Sequence, residues 1–310
     1  MNIGFIGLGT MGAHMARNVQ KAAQQLTIHD IRPDAGAEHL AAGAVWADTP
    51  REVAAASDVV FTSLPGPPEV EAVAVGADGL IEGMKPGSAY FDLSTSSPTL
   101  ARRLHATFAE RGFHLLDAPV SGGPTGAKSG RLAIWVGGDE AIFQQHQPVL
   151  QAIGDQVFYV GPIGAGCVTK LVHNCTGYTI QAAMAEVFSL GVKAGVDPLA
   201  LWQAVRQGAV GRSRTYDRLL NNFLAGVFDP PSFALRLAHK DMTLATELGR
   251  ELHVPMRSAT LALEELTEAL NRGWGGRDSR VAMLLQEERA GVEIKVDPAR
   301  IREAARELSS

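Results

Sequence analysis

The sequence has little cysteine, few aromatic residues, no excess of positive charge and no long apolar run. Only two of its 310 residues are cysteine and 6% are aromatic, and 28 Lys and Arg against 33 Asp and Glu give a formal net charge of −5. Without a basic face, the chain is not expected to bind nucleic acid. Without about 18 consecutive apolar residues, no membrane span is predicted. The apolar fraction of 46% is typical of a globular protein and excludes disordered and collagen-like classes.

The spacing of the cysteines and histidines argues against a disulfide and against a metal site. Cys167 and Cys175 lie eight residues apart in a stretch predicted to be helical, which separates them by about 12 Å, too far for a disulfide. The nine histidines show no metal-ligand spacing, so no metal site is predicted.

The apolar start at 2–6 has no preceding basic residues and breaks at once into glycines, unlike a signal peptide. We therefore expect a cytoplasmic protein.

The chain changes its pattern after a glycine-rich junction at 161–166. Before it, short β-branched runs alternate with segments of helical periodicity, which predicts a doubly wound parallel sheet. The predicted strands are 2–6, 26–30, 58–64, 89–92, 114–117, 133–136 and 156–159, with helices such as 11–23 and 100–110 between them. After the junction a long helix is predicted over about 167–194. We expect an α/β fold with an N-terminal Rossmann-type domain over 1–163 and an all-helical domain over 164–310.

A glycine-rich motif follows the first predicted strand directly and opens the first predicted helix. It consists of Gly7, Leu8, Gly9, Thr10, Met11 and Gly12. In dinucleotide-binding folds the first glycine makes a tight turn, the second admits a pyrophosphate, and the third lets the helix pack closely on the strand. The pattern alone is weak in a chain with 33 glycines, but its place between strand and helix favours dinucleotide binding over a purely structural turn.

An acidic residue stands where such a fold binds the adenosine ribose. Asp30 ends the second predicted strand, 18 residues after Gly12. A carboxylate there accepts hydrogen bonds from the ribose hydroxyls and repels a 2′-phosphate, which favours NAD over NADP. Arg32 could instead bind that phosphate, so NADP is the less favoured alternative.

Three later segments lie where a doubly wound sheet binds its ligands. Segments 63–66 and 92–95 end predicted strands, although turn and helix-cap chemistry explains both equally well. Segment 117–124 is predicted to be a small-residue loop. Its glycine amides and the Ser121 hydroxyl can bind a carboxylate, and a plain flexible loop is the alternative.

Lys170 and Asn174 lie four residues apart, on one face of the predicted long helix. Most helical lysines only carry charge into solvent, but this turn follows the glycine-rich junction, where we expect a cleft. An amine desolvated there loses its proton more readily, as proton transfer requires. Lys240 and Asp241, much later, look like an ordinary exposed ion pair.

Taken in order, these segments resemble the β-hydroxyacid dehydrogenase family over nearly the whole chain. The matching motifs are GFIGLGTMG at 4–12, DAPVSGG at 117–123, the glycine pair at 137–138, the Gly-x-Gly-x-x-x-Lys-x-x-x-Asn spacing at 164–174 and KDM at 240–242. The resemblance implies that Lys170 is the catalytic acid/base. It also implies binding residues for the substrate, namely Ser121, Gly122, Gly123, Asn174 and Thr95. For the cofactor it implies, beyond the glycine motif and Asp30, contacts from Leu64, Pro65, Thr95 and Lys240.

The resemblance implies NAD-dependent oxidation of a small 3-hydroxy acid similar to 3-hydroxyisobutyrate, by a homodimer or homotetramer. The alternative is an NADP-dependent reductase of a small semialdehyde such as glyoxylate, succinic or tartronate semialdehyde. A non-catalytic NAD-binding sensor is disfavoured because Lys170 and Asn174 are both present.

Two arginines depart from the family pattern. Arg212 and Arg214 stand where hydroxyisobutyrate-type members usually have a tryptophan-containing segment. Burying either arginine would require an anionic partner, so they predict a substrate with a polar or acidic tail. The alternative is that both point to solvent.

Overall fold

The computed structural model describes residues 1–23, 25–208, 211, 217–253 and 255–308. The chain divides into two compact units, Met1–Val172 and His173–Ser310. The first unit is a sheet flanked by helices and the second is helical. The domain boundary predicted at 163–164 falls at the start of the long helix, whereas this division falls two turns into it.

Within the described residues of the first unit, nine strands form one sheet. They are β1 (Asn2–Ile6), β2 (Gln25–His29), β3 (Val45–Trp46), β4 (Val59–Thr62), β5 (Ala89–Asp92), β6 (His114–Asp117), β7 (Val120–Ser121), β8 (Ala133–Gly137) and β9 (Gln156–Gly161). The order is β3-β2-β1-β4-β5-β6-β8-β7, with β9 paired to β8. The first six strands are mutually parallel, and the prediction of a parallel sheet holds for the five of them that were predicted. The predicted strands β8 and β9 are parallel to each other, but β8 pairs antiparallel with β6 and β7. Strand order reverses between β1 and β4, where doubly wound sheets bind ligands.

The strands form because their apolar residues can be buried on both faces of a parallel sheet. Phe5, Phe61 and Phe91 stand in register on β1, β4 and β5, with ring centroids 6.5 Å and 5.4 Å apart. Val60 and Tyr90, the neighbours of these rings along the chain, pack into the core on the opposite face. All five side chains are at most 1% exposed. The three strands are therefore packed between two apolar cores, one on each face of the sheet.

Some of the helices of the first unit begin at a residue whose side chain caps them. They are α1 (Gly12–Ala22), α2 (Ala37–Ala41), α3 (Pro50–Ala55), α4 (Pro67–Val75), α5 (Pro98–Ala109), α6 (Gly123–Ser129), α7 (Glu140–Leu150) and the first turns of α8 (Ala165–Lys193). Ser97 caps α5 by accepting from the Leu100 N–H at 3.5 Å, and Asp139 caps α7.

The second unit contains the rest of α8 and six further helices within its described residues. These are α9 (Pro198–Gln207), α10 (Asp217–Leu220), α11 (Leu235–Glu251), α12 (Arg257–Asn271), α13 (Met283–Ala290) and α14 (Pro298–Leu308). Trp202, Phe223 and Met242 are at most 1% exposed in its core. Asp278 fastens the segment before α11 by accepting from Ser232 Oγ at 2.6 Å.

Two short strands and one turn differ from the expectation. β3 and β7 were not predicted, because two residues carry no periodicity. The predicted loop 117–124 is instead a strand, a turn and a helix: Ser121 ends β7, Gly122 turns with φ +138°, and Gly123 begins α6. The loop prediction was wrong because β7 pairs with β8 and thereby occupies its backbone hydrogen bonds.

Across the described ranges, no helix combines the length and apolar character that crossing a bilayer would require. The same part of the chain contains no group of three His, Cys, Asp or Glu side chains arranged to hold a metal ion.

Candidate active site

The glycine motif joins β1 to α1, and its three glycines have different surroundings. Gly7 has φ +91°, and a Cβ there would lie 2.3 Å from the Ser63 carbonyl oxygen. A Cβ on Gly12 would lie 1.8 Å from the Gly7 carbonyl oxygen. A Cβ on Gly9 would meet no atom within 4 Å. Gly7 and Gly12 therefore permit the tight turn, and Gly9 borders open space that a ligand can enter.

This difference predicts different outcomes for two alanine variants. Gly9→Ala is expected to weaken NAD binding at least about tenfold with an unchanged unfolding midpoint, because the new methyl group occupies ligand space only. Gly12→Ala is expected to lose both binding and about 1–3 kcal/mol of stability, because its methyl group displaces α1 from β1. Calorimetric titration with NAD and thermal unfolding measure the two effects. Equal loss of stability in both variants would contradict this assignment.

Asp30 follows the last residue of β2 and is tied to the glycine motif. Its Oδ2 accepts from the Leu8 backbone N–H at 2.7 Å, and its Oδ1 accepts from the Arg32 backbone N–H at 2.9 Å. The carboxylate is 9% exposed, and the Arg32 guanidinium, 62% exposed, lies 3.8 Å from it. Two backbone donors therefore hold the carboxylate in place, while the arginine extends into solvent beside it.

The ends of β4 and β5 lie side by side, next to the switch point between β1 and β4. The Leu64 backbone N–H donates to Ser94 Oγ at 2.9 Å, and the Leu93 N–H donates to the Thr62 carbonyl at 2.9 Å. Pro65 is exposed and Thr95 is half-buried. The structure thus brings together the predicted cofactor residues of these two segments, next to the strand that carries the glycine motif.

Asp117, at the end of β6, fixes the start of α8. Its carboxylate accepts from the Gly164 N–H at 2.7 Å and from the Cys167 N–H at 2.6 Å. Burial raises the pKa of Asp117, and these two hydrogen bonds oppose the rise. A Cβ on Gly166 would lie 2.3 Å from the Trp135 carbonyl oxygen, so only glycine allows this close approach. Asp117 therefore holds the helix that carries the candidate catalytic lysine.

Lys170 and Asn174 are both buried on α8, at 8% and 9% exposure. Their four-residue spacing places them one helical turn apart on one face, as predicted. A buried lysine is rare unless its ammonium has partners or a chemical role. This burial distinguishes Lys170 from an ordinary surface charge.

In the second unit, Asp241 joins two of the predicted residues. Its Oδ2 accepts from Asn174 Nδ2 at 2.6 Å, and its Oδ1 lies 3.0 Å from Lys240 Nζ. Asp241 is 1% exposed, so the expectation of an exposed ion pair was wrong for it. The helical periodicity of α11 puts Asp241 on the buried face beside Ala238, Met242 and Ala245, a pattern that could have revealed it.

Sequence reasoning also gave no role to Asp92 and Asp117. Both end buried strands and stand in register on β5 and β6. A carboxylate at the end of a fully buried strand must find hydrogen-bond donors, and this rule was the available signal. Arg212 and Arg214, in contrast, lie outside the described residues.

The first unit fits a bound dinucleotide. The open space at Gly9, the fixed carboxylate of Asp30 and the strand ends at the switch point all lie where such a fold holds its nucleotide. A buried lysine, Lys170, lies on a helix anchored to the same sheet. These features define the class of nicotinamide-dependent oxidoreductases.

Two family models cover most of the chain. Residues 2–161 match the NAD binding domain of 6-phosphogluconate dehydrogenase, and residues 164–285 match NAD-binding of NADP-dependent 3-hydroxyisobutyrate dehydrogenase.

Individual relatives extend over nearly the full length. The chain is 36% identical over 294 residues to 2-(hydroxymethyl)glutarate dehydrogenase of Eubacterium barkeri, covering 95% of this chain and 97% of the relative. It is 36% identical over 290 residues to the NAD-dependent L-serine dehydrogenase of Pseudomonas aeruginosa, covering 91% and 97%. The crystal structure of 3-hydroxyisobutyrate dehydrogenase from Salmonella typhimurium matches with a TM-score of 0.81 at 31% identity, covering 92% of this chain and 99% of that chain.

The chain belongs to the β-hydroxyacid dehydrogenase family. It is an oxidoreductase that acts on a CH–OH group with NAD or NADP, and the expected fold class is confirmed.

Proposed function

We propose that this enzyme oxidises the hydroxyl group of a small 3-hydroxy acid, with NAD as the hydride acceptor and Lys170 as the base. The observation that carries the proposal is the burial of Lys170, at 8% exposure, on a helix whose start Asp117 fastens to β6. Asn174 follows one turn later on the same face.

The chain's residues supply placement and a proton acceptor. Neutral Lys170 takes the hydroxyl proton, and the O–H electron pair becomes the second bond of the new carbonyl. Asn174 orients the lysine amine and the substrate oxygen. When bound, oxidised nicotinamide supplies the acceptor for the hydride that leaves the hydroxyl-bearing carbon of the substrate. Placement and proton transfer are the protein's contribution to rate.

The remaining proposed residues hold the two reactants. Ser121 Oγ and the amides of Gly122 and Gly123 bind the substrate carboxylate, with Thr95 beside both ligands. The dinucleotide is held by residues at the carboxyl ends of β1, β2, β4 and β5 and by one lysine of α11, namely Gly7, Gly9, Thr10, Met11, Gly12, Asp30, Leu64, Pro65, Thr95 and Lys240.

Asp30 is proposed to set the preference for NAD. We expect the wild type to show higher kcat/KM with NAD than with NADP, and Asp30→Ala to narrow that ratio about tenfold, since hydrogen bonds to a charged group contribute about 1.5–3 kcal/mol. Steady-state kinetics with both cofactors measure the ratio. Arg32→Ala is the matched control and should leave the NAD preference intact.

A wild type that prefers NADP, and loses that preference in Arg32→Ala, would instead support the semialdehyde reductase. The guanidinium of Arg32, 3.8 Å from Asp30, is the observation that favours this second candidate. Similarity to a family described as NADP-dependent also favours it.

The substrate is tested with a panel of 3-hydroxy acids and semialdehydes, followed by nicotinamide absorbance in both directions. The panel contains apolar, hydroxylated and dicarboxylic members, because one relative is named for a substrate with two carboxylates.

Arg212→Ala and Arg214→Ala are expected to lower kcat/KM selectively for the panel members that have acidic tails. Absence of turnover on every member, with NAD binding intact, would support a sensor instead. We also propose a homodimer or homotetramer, which light scattering tests.

A further inference from the structure

The ends of β4 and β5 are joined by a buried polar chain that the proposed mechanism does not use. Asp92 Oδ1 accepts from Thr62 Oγ1 at 2.9 Å and from the Ser94 backbone N–H at 3.0 Å. Ser94 Oγ in turn accepts from the Leu64 backbone N–H at 2.9 Å. The Asp92 carboxylate is therefore connected through Ser94 to the segment that follows β4.

These hydrogen-bonded groups lie next to the segments that are proposed to contact the cofactor. Asp92 and Ser94 are 5% and 4% exposed, whereas Pro65, next to Leu64, is exposed and Thr95, next to Ser94, is half-buried. The buried residues Asp92 and Ser94 are thus close in sequence to more accessible residues at the carboxyl ends of β4 and β5. The segment after β4 adjoins the point where strand order reverses, and the segment after β5 lies one strand further along the sheet.

Burying a carboxylate between two strands costs free energy, because the charged form loses its hydration. Burial raises the pKa of Asp92 to about 6, the hydrogen bonds from Ser94 and Thr62 oppose this rise, and the nearby charge of Asp117 adds to it. At neutral pH the group is nevertheless ionised. An ionised acceptor makes hydrogen bonds about twice as strong as a neutral one, so the cost is offset by firm placement of the donors.

We propose that Asp92 is a positioning residue of the nucleotide site, which sets the spacing of segments 63–66 and 93–95 without contacting the nucleotide. The inference rests on the proposed function in one respect, because it takes these segments as part of the cofactor site.

The test is nucleotide affinity, measured as the Kd for NADH by fluorescence titration of the full-length protein. Asp92→Ala is expected to raise Kd about tenfold or more, and Ser94→Ala about threefold or more, because each breaks the chain between the segments. Asp92→Asn keeps an oxygen acceptor at the same place and should restore Kd to within about threefold of wild type.

A control variant in the same cluster distinguishes an effect on the position of segments 63–66 and 93–95 from a general loss of core stability. The Tyr90 hydroxyl lies 3.0 Å from Thr62 Oγ1, and Tyr90→Phe removes that contact while leaving the link from Asp92 to Leu64 in place. Tyr90→Phe is therefore expected to bind NADH as the wild type does.

The charge on Asp92 has its own readout in stability. The titratable groups that face it are Tyr90 on β5, Asp117 on β6 and Cys167 on α8. Because folding raises the pKa of Asp92 from 3.8 to about 6, the folded state binds the proton more tightly, and stability falls as pH rises through this window. The unfolding midpoint of Asp92→Asn, relative to wild type, should therefore rise between about pH 4 and 6 and then level off.

Two results would overturn the proposal: NADH affinity within twofold of wild type in both Asp92→Ala and Ser94→Ala, or a loss in Tyr90→Phe equal to that in Asp92→Ala. If Asp92→Ala does not fold, NADH affinity within twofold of wild type in Ser94→Ala alone would overturn the proposal. Since binding is measured and not turnover, a failure here is distinct from failure to oxidise hydroxy acids.

Discussion

Lys170→Ala is expected to lower kcat for hydroxy acid oxidation by at least about a hundredfold, with little change in the Kd for NAD. General acid/base catalysis typically contributes 10²- to 10⁴-fold, and the glycine motif and Asp30, which hold the nucleotide in our proposal, do not depend on this side chain. Stopped-flow measurement of NADH formation gives the rate, and calorimetric titration gives the affinity.

Two further variants show whether the lysine acts as a base. Lys170→Arg keeps the positive charge but cannot become neutral, so it should be as inactive as Lys170→Ala. Lys193→Ala removes an equal charge at the exposed end of the same helix and should retain wild-type kcat. Near-normal turnover in Lys170→Ala would remove this residue from the mechanism. In the wild type, oxidation should accelerate with rising pH because the neutral amine is the reactive form.

Ser121→Ala is expected to lower kcat/KM for the hydroxy acid about 10- to 150-fold while leaving the KM for NAD within about twofold. A hydrogen bond to a charged group contributes about 1.5–3 kcal/mol, and the Ser121 hydroxyl is proposed to donate to the substrate carboxylate. Initial rates over a matrix of both substrate concentrations separate the two KM values.

Ser129 provides the matched control for this variant. It lies at the other end of α6, where its hydroxyl donates to the Thr125 carbonyl at 2.9 Å. Ser129→Ala should leave all kinetic constants unchanged. Unchanged kcat and KM in Ser121→Ala would instead mean that residues 121–123 serve the fold only.

The parallel sheet could be predicted because its strands are buried on both faces. Runs such as Val59–Thr62 and Ala89–Asp92 are almost wholly apolar, so they stand out from the helical segments between them. All seven predicted strands are present, with ends that differ from the prediction by at most two residues. The two-residue strands β3 and β7 could not be predicted, since their existence depends on partners elsewhere in the sheet.

The candidate site was predictable where its chemistry is local. The glycine motif is contiguous, and Lys170 and Asn174 lie within one helical turn. Asp92, Asp117 and Asp241 were missed because their roles depend on distant donors: Asp92 bonds to a residue 30 positions away, Asp117 to one 47 away and Asp241 to one 67 away. Such contacts exist only after the sheet and the helices have formed.

The fate of the transferred hydrogen tests the proposed reaction most directly. The wild type is incubated with NAD and a 3-hydroxy acid carrying deuterium on the hydroxyl-bearing carbon, and the reduced nucleotide is analysed by mass spectrometry. If the enzyme transfers hydride from that carbon, each NADH formed contains one deuterium, and Lys170→Ala forms it at least about a hundredfold more slowly. NADH without deuterium, or no NADH with any member of the panel, would contradict the proposed reaction.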